Sequence, residues 1–338
     1  MQRFENPWRG RGLDWAGLAD VPWPSVDAGA VGALLTRCPF DDRTPLDRLD
    51  GFAGAGEVFI KDERFRMGLG SFKALGAAYV IARDAEAGLA KGRTYVAASA
   101  GNHGLSLAAG AMAFGAKAVI YLSETVPEEF ASRLRGIEAK VVRAGATYEE
   151  SMAAAMRAAE ENGWELLSDS SWDGYIERPY RVMEGYVALA DEVVREMDEP
   201  PTHIFLQAGV GGLAGACAAY FREKWGDYPQ IIVVEPEAAP ALMESVRAGR
   251  SVVTEGPVSS MGRLDCKEPS LIALKGLARD ADAFVTITED EVAAAMPVLA
   301  EAGFETTPSG GAGLAALMAM DPLGPDVRVL CILSEAPE

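Results

Sequence analysis

Histidine is almost missing from this chain: His103 and His203 are the only two in 338 residues. A histidine-rich metal centre is therefore excluded, and a hydrolase with several histidine roles is disfavoured. Cysteine is nearly as scarce. The four present (Cys38, Cys217, Cys266, Cys331) form no C-x-x-C pair. That argues against a zinc ribbon or a disulfide scaffold and fits a reducing compartment. Basic residues are outnumbered, with 31 Lys and Arg against 50 Asp and Glu, a formal net charge of -19. A nucleic acid or an anionic membrane would need a basic face, so neither is expected as a partner. No apolar run reaches the roughly 18 residues of a membrane span. The first residues lack an apolar stretch behind a basic start, so no secretory signal is expected and the default location is the cytoplasm.

What the chain does have is apolar residues, 49% of the total, and a length that suggests about two domains at ~150 residues each. Short runs of Val, Ile, Tyr and Phe predict strands at 58–60, 94–98, 118–122, 140–142, 203–207, 231–235, 284–287 and 327–333. Longer, often Ala-rich segments between them predict helices at 72–86, 104–114, 128–134, 148–162, 181–197, 213–225, 240–248, 289–302 and 311–320. In the fourth helix Met152, Ala155, Met156 and Ala159 recur on one face. Thr288 and Glu291 have the spacing of a capping box. Strand–helix alternation predicts an α/β protein with parallel sheets. The first 40 or so residues, rich in Trp, Pro and Gly, are expected to wrap the surface as an extended arm. Trp8, Trp15 and Trp23 on that arm would form an exposed apolar patch unless covered, which points to a homodimer.

Many of the 36 glycines cluster where a strand passes into a helix. Gln207-Ala208-Gly209-Val210-Gly211-Gly212 can point backbone N–H groups at a phosphate from a helix N-terminus. The plainer reading is a tight turn with close helix–strand packing. The segment is not a regular G-x-G-x-x-G and has no Gly-Lys pair of a Walker loop. Ser99-Ala100-Gly101-Asn102-His103-Gly104 is a second such start, suited to a carboxylate; alternatively Ser99 or Asn102 simply caps the helix. In Gly70-Ser71-Phe72-Lys73, a lysine opens a largely apolar helix. The helix N-terminus disfavours its charge, which would lower its pKa and favour a nucleophilic amine, although most such lysines are only solvated. Two anion cups and one lysine are the parts needed for pyridoxal 5′-phosphate and an amino acid substrate.

At these residues the sequence resembles the tryptophan-synthase-like, fold type II, pyridoxal-phosphate enzymes. Thr44-Pro45-Leu46, Lys61-Asp62-Glu63, Ser71-Phe72-Lys73, the 99–104 loop and the 209–212 loop follow that group's order. Within it the chain looks most like the diaminopropionate ammonia-lyase family. Three segments carry that match: 64–76; Trp172-Asp173-Gly174-Tyr175 with Pro179 and Met183-Glu184-Gly185-Tyr186; and Met261-Gly262-Arg263-Leu264-Asp265-Cys266-Lys267-Glu268-Pro269-Ser270.

The resemblance implies two doubly wound α/β domains. Residues 1–93 and 187–338 would form a large cofactor-binding domain, and 94–186 a smaller, inserted, mobile one. Lys73 would hold the cofactor covalently and Asn102 would contact its phenolic oxygen. Gly209, Val210, Gly211 and Gly212 would bind its phosphate, and Ser334 would meet the ring nitrogen. Ser99, Ala100, Gly101 and His103 would line the substrate carboxylate, with Asp169 beside the leaving amine and Glu268 at the edge of the site. Without the family, Asp169 reads as an ordinary turn residue. No metal is implied. The implied activity is β-elimination of ammonia from 2,3-diaminopropionate, giving pyruvate and ammonia through aminoacrylate. Serine/threonine or hydroxyaspartate dehydratases and β-replacement synthases of the same fold are the alternatives. A dinucleotide-binding protein using the Gly209 loop is a more distant one. The chain departs from the family at Ala100, where the family has an Asp acting on the D-isomer, and at Lys267, where Gly is common.

Overall fold

The computed structural model describes residues 1–38, 40 and 42–337. Eleven strands are described: β1 (Gln2–Glu5), β2 (Leu46–Asp50), β3 (Ala55–Asp62), β4 (Thr94–Ala98), β5 (Lys117–Leu122), β6 (Lys140–Arg143), β7 (Glu165–Leu166), β8 (His203–Gln207), β9 (Gln230–Pro236), β10 (Ala283–Ile287) and β11 (Gly324–Leu333). Eleven α-helices accompany them: α1 (Ala28–Leu35), α2 (Lys73–Glu86), α3 (Asn102–Ala113), α4 (Glu128–Gly136), α5 (Tyr148–Asn162), α6 (Glu177–Glu196), α7 (Gly212–Trp225), α8 (Ala241–Ala248), α9 (Leu271–Asp280), α10 (Glu289–Glu301) and α11 (Ala312–Ala319).

The strands form two sheets. One has seven strands in the order β1-β10-β9-β8-β11-β3-β2; the other has four in the order β6-β5-β4-β7. The four-stranded sheet is parallel throughout. The larger sheet is parallel inside and antiparallel at both edges, where β1 pairs with β10 and β2 with β3. Inner strands such as Ile231-Ile232-Val233-Val234 and Leu330-Cys331-Ile332-Leu333 are fully buried. Helices cover both of their faces, so their sequences are continuously apolar rather than alternating. α7 is apolar for most of its length because it packs against both α6 and α9.

The predicted strands and helices are all present, with ends shifted by up to four residues. Five elements went unpredicted. β1, β2 and β7 are short or carry charge, as edge strands do. α1 is hidden in a Gly-rich stretch, where Asp27 caps it by accepting from the Ala30 N–H at 3.0 Å. α9 follows Pro269-Ser270 directly. The N-terminal arm is thus not merely extended, since it contributes a strand and a helix. Its tryptophans dock largely on their own chain. Trp8 donates to the Val246 carbonyl at 3.0 Å, and Trp15 packs on the core. Trp23 stays 41% exposed, with the Arg279 guanidinium 4.2 Å above its ring. The exposed tryptophan patch offered as the reason for a homodimer is therefore mostly absent.

Candidate active site

In open α/β sheets a ligand crevice forms beyond the carboxyl ends of the parallel strands. Here those ends come from both sheets. β3 leads through a turn into α2, β4 into the 99–104 loop, β8 into the 208–212 loop, and β11 ends just before Ser334.

Lys73 is the first residue of α2. The turn before it is held against the C-terminal strand. Phe72 N–H donates to the Ser334 carbonyl at 3.2 Å, Ala336 N–H donates to Gly70 at 2.9 Å, and Ser71 bridges Glu335. The Lys73 ammonium donates to Asp169 Oδ2 and lies 5.2 Å from the centre of the Phe72 ring and 5.8 Å from that of Tyr186. Asp169 is itself anchored from both sides. Tyr175 Oη donates to Leu166 O at 2.8 Å and accepts from Ser168 N–H at 3.0 Å. On the other side, Ser171 and Ser270 join their hydroxyls at 2.7 Å, and Ser270 N–H donates to Val210 of the glycine loop at 3.0 Å. Packing has thus joined the lysine, the acid and the glycine loop, three segments far apart in sequence.

The electrostatics reverse one expectation. Burial does work to lower the Lys73 pKa, but the Asp169 carboxylate outweighs it, with smaller help from Tyr186 and Cys266, and the pKa lies above the ordinary lysine value. Burial likewise works to raise Asp169, but the Lys73 charge, and after it His103, hold its carboxyl well below the usual range. The pair is ionised, and the weak field of the helix terminus loses to a direct ion pair. Burial pushes the Cys266 thiol up to about 12, with Asp169 adding to the effect.

The glycine loop is built for close approach. Gly211 has φ +96°, and a Cβ there would lie 2.9 Å from Ala273 Cβ and Leu242 Cδ1. At Gly209 a Cβ would meet Cys266 Sγ at 2.9 Å and the Arg263 carbonyl at 3.0 Å. Among the described residues no side chain caps the N-terminus of α7, whose first N–H groups have no partner within the helix. Those N–H groups suit an anion with several acceptor oxygens. The Tyr186 hydroxyl beside Lys73 is buried without a hydrogen-bond partner among the described residues. Both features suit a phosphorylated cofactor joined to Lys73.

In the second loop the two readings coexist. Ser99 Oγ does cap, accepting from Gly104 N–H at 3.0 Å and Gly101 N–H at 3.3 Å. Ala100 is exposed. Asn102 donates to Glu335 Oε2 at 2.6 Å. His103 turns inward, its Nε2 2.7 Å from the Leu167 carbonyl, which places it behind Asp169 rather than toward solvent. Ser334 is buried and engages its neighbours through its main chain. Glu268 is exposed and makes no ion pair or hydrogen bond among the described residues. Sequence reasoning gave no role to Glu335, which is 3% exposed and directly follows Ser334. The available signal was a charged residue immediately after the apolar run of β11.

The model of the "Pyridoxal-phosphate dependent enzyme" family matches residues 39–335. The chain belongs to that family. Pyridoxal phosphate is therefore its cofactor, and the lysine and glycine loop just described lie within the matched region. Among characterised relatives, diaminopropionate ammonia-lyase of Escherichia coli strain K12 is 33% identical over 282 residues, 76% of this chain and 70% of that protein. L-threonine ammonia-lyase of Geobacter sulfurreducens is 30% identical over 278 residues, 82% of this chain and 66% of that protein. The solved structure of the E. coli diaminopropionate ammonia-lyase with an aminoacrylate-PLP azomethine reaction intermediate superposes with TM-score 0.87 at 29% identity. The superposition covers 99% of this chain and 93% of that one. Fold type II of this family, which the resemblance implied, is the fold present.

Proposed function

We propose that this enzyme removes ammonia from 2,3-diaminopropionate, preferring the L-isomer. The observation carrying the reading is the ion pair between the Lys73 amine and Asp169, set between the two anion-binding loops. The similarity to diaminopropionate ammonia-lyases supports it.

Pyridoxal phosphate, when bound, supplies the sink for the electrons left as the Cα–H bond breaks. The 209–212 backbone would hold its phosphate, Asn102 its phenolic oxygen, and Ser334 its ring nitrogen. A hydroxyl there, rather than a carboxylate, would leave the nitrogen neutral and suit quick elimination. The 99–104 loop orients the substrate carboxylate. As a free, unprotonated amine Lys73 Nζ would take the Cα proton. The electron pair of that bond becomes the Cα–Cβ double bond, and the Cβ–N bond breaks with its pair leaving on ammonia. Asp169, freed from Lys73, faces the departing group. The aminoacrylate released hydrolyses to pyruvate and a second ammonia.

In this reading 94–186 is a smaller domain that closes on the larger one formed by 1–93 and 187–338, excluding water during elimination. The four free cysteines support a cytoplasmic location. The exposed ring of Trp23 is the remaining support for a homodimer.

The test is a panel of β-substituted amino acids assayed for 2-keto acid and ammonia, with borohydride reduction and peptide mapping of the attachment site. Diaminopropionate as best substrate and a label on Lys73 are expected. Serine, threonine or hydroxyaspartate as best substrate would replace this reading with the dehydratase one. A label on Lys61 or Lys91 would overturn the assignment of Lys73.

A further inference from the structure

Glu335 is a buried carboxylate that the reaction as described does not use. Three side chains from three separate segments converge on it. Asn102 Nδ2 donates to Oε2 at 2.6 Å, Arg263 Nε lies 3.0 Å from the same oxygen, and the Thr307 hydroxyl donates to Oε1. Its backbone is held as well. The Glu335 carbonyl accepts from the Thr306 hydroxyl at 2.6 Å, and the residue bridges Ser71, two positions before Lys73. Arg263 in turn spans the site. Its carbonyl backs Gly209, and its Nε lies 3.6 Å from where a Cβ would stand on Gly101.

We infer that Glu335 is a positioning residue that fixes which way the Asn102 amide faces. An amide side chain carries an acceptor at one end and two donors at the other. Glu335 Oε2 faces the Arg263 guanidinium and accepts from Asn102 Nδ2, so Asn102 turns its NH₂ group toward Glu335. One N–H is used there, and the second remains for another acceptor. The phenolic oxygen of the cofactor is such an acceptor, and a flipped amide would present it with a carbonyl oxygen instead. Because Glu335 is also bridged to the Lys73 segment, one residue sets the amide relative to the lysine. The inference rests on the reading of Asn102 as the contact to that oxygen.

The test compares E335Q, E335D, N102A and the double variant E335Q/N102A. Each is checked for folding by circular dichroism and thermal midpoint. Two properties are then read: affinity of the apoprotein for pyridoxal phosphate, and the pH dependence of the bound cofactor's absorbance. Glutamine is nearly isosteric but can donate as well as accept, so it no longer dictates the amide's orientation. Aspartate keeps the charge but withdraws it from Asn102. Both should weaken cofactor affinity about tenfold, the scale of one charge-assisted hydrogen bond. Both should also move the absorbance midpoint in the same direction as N102A. The double variant should be no worse than N102A alone. Wild-type affinity and spectrum in folded E335Q or E335D, with N102A impaired, would overturn the inference and leave the role of Asn102 standing. Additive losses in the double variant would overturn it as well. A wild-type-like N102A would remove the underlying reading of Asn102, and the inference with it.

Discussion

Lys73 and Asp169 stand 96 positions apart, yet each sets the other's charge state. The general acid–base reading of the pair makes a sharp prediction. Asp169→Asn should slow elimination by about 10²- to 10⁴-fold, the usual contribution of a positioned acid or base. Lys73 should still be labelled after borohydride reduction, which separates a catalytic loss from a loss of cofactor. The other telling residue is Ala100. In the proposed reaction Lys73 serves one face of the substrate, and an alanine can neither take nor give a proton on the other. The D-isomer should therefore react at least ~10²-fold more slowly than the L-isomer in a steady-state assay. Ala100→Asp should raise D-isomer turnover and leave L-isomer turnover within about tenfold. Comparable kcat/KM for both isomers in the unaltered enzyme would show that another group serves the second face.

At the scale of elements, the strand-to-helix turns decide what the site can hold. Gly211→Ala places a Cβ against Ala273 and Leu242 at a left-handed backbone position. The strain should cost roughly 1–3 kcal/mol in urea unfolding and weaken cofactor binding more than substrate binding. The inner strands were legible in the sequence because burial on both faces makes them continuously apolar. α5 was legible from the apolar face of Met152, Ala155, Met156 and Ala159, and α10 from the capping box at Thr288/Glu291; the capping box at Thr147/Glu150 that starts α5 went unread. β1 and β2 were not, since edge strands take their pairing from a neighbour rather than from their own pattern. The same holds for the buried cluster around Arg66. Its guanidinium bonds Glu63 at 2.7 Å and Glu192 of α6 at 2.7 Å, joining the turn before Lys73 to a distant helix.

For the whole molecule, pH supplies a test through Glu235 at the end of β9. Its carboxyl accepts from the Leu242 and Met243 N–H groups at 2.7 and 2.8 Å, but burial pushes its pKa up to about 8. Unfolded, it titrates near ~4.3. Between those values the folded state holds a proton that the unfolded state has released, so its contribution to stability must fall as pH rises from about 4.3 to about 8. Glu235→Gln should remove that decline, read as the difference between the two proteins' denaturant midpoints across the range. An unchanged slope would show that Glu235 does not titrate there. Composition and local pattern by themselves determined the α/β class, the parallel inner strands, the two glycine loops and a lysine at a helix start, because these depend on residues close in sequence. The resemblance in its motifs pointed to the cofactor. Only the tertiary structure decided that Asp169 meets Lys73, that this contact raises rather than lowers the lysine's pKa, that the N-terminal tryptophans dock on their own chain, and that Glu335 lies against Asn102. Those outcomes depend on which strand ends the packing brings together, and distance in sequence does not encode distance in space.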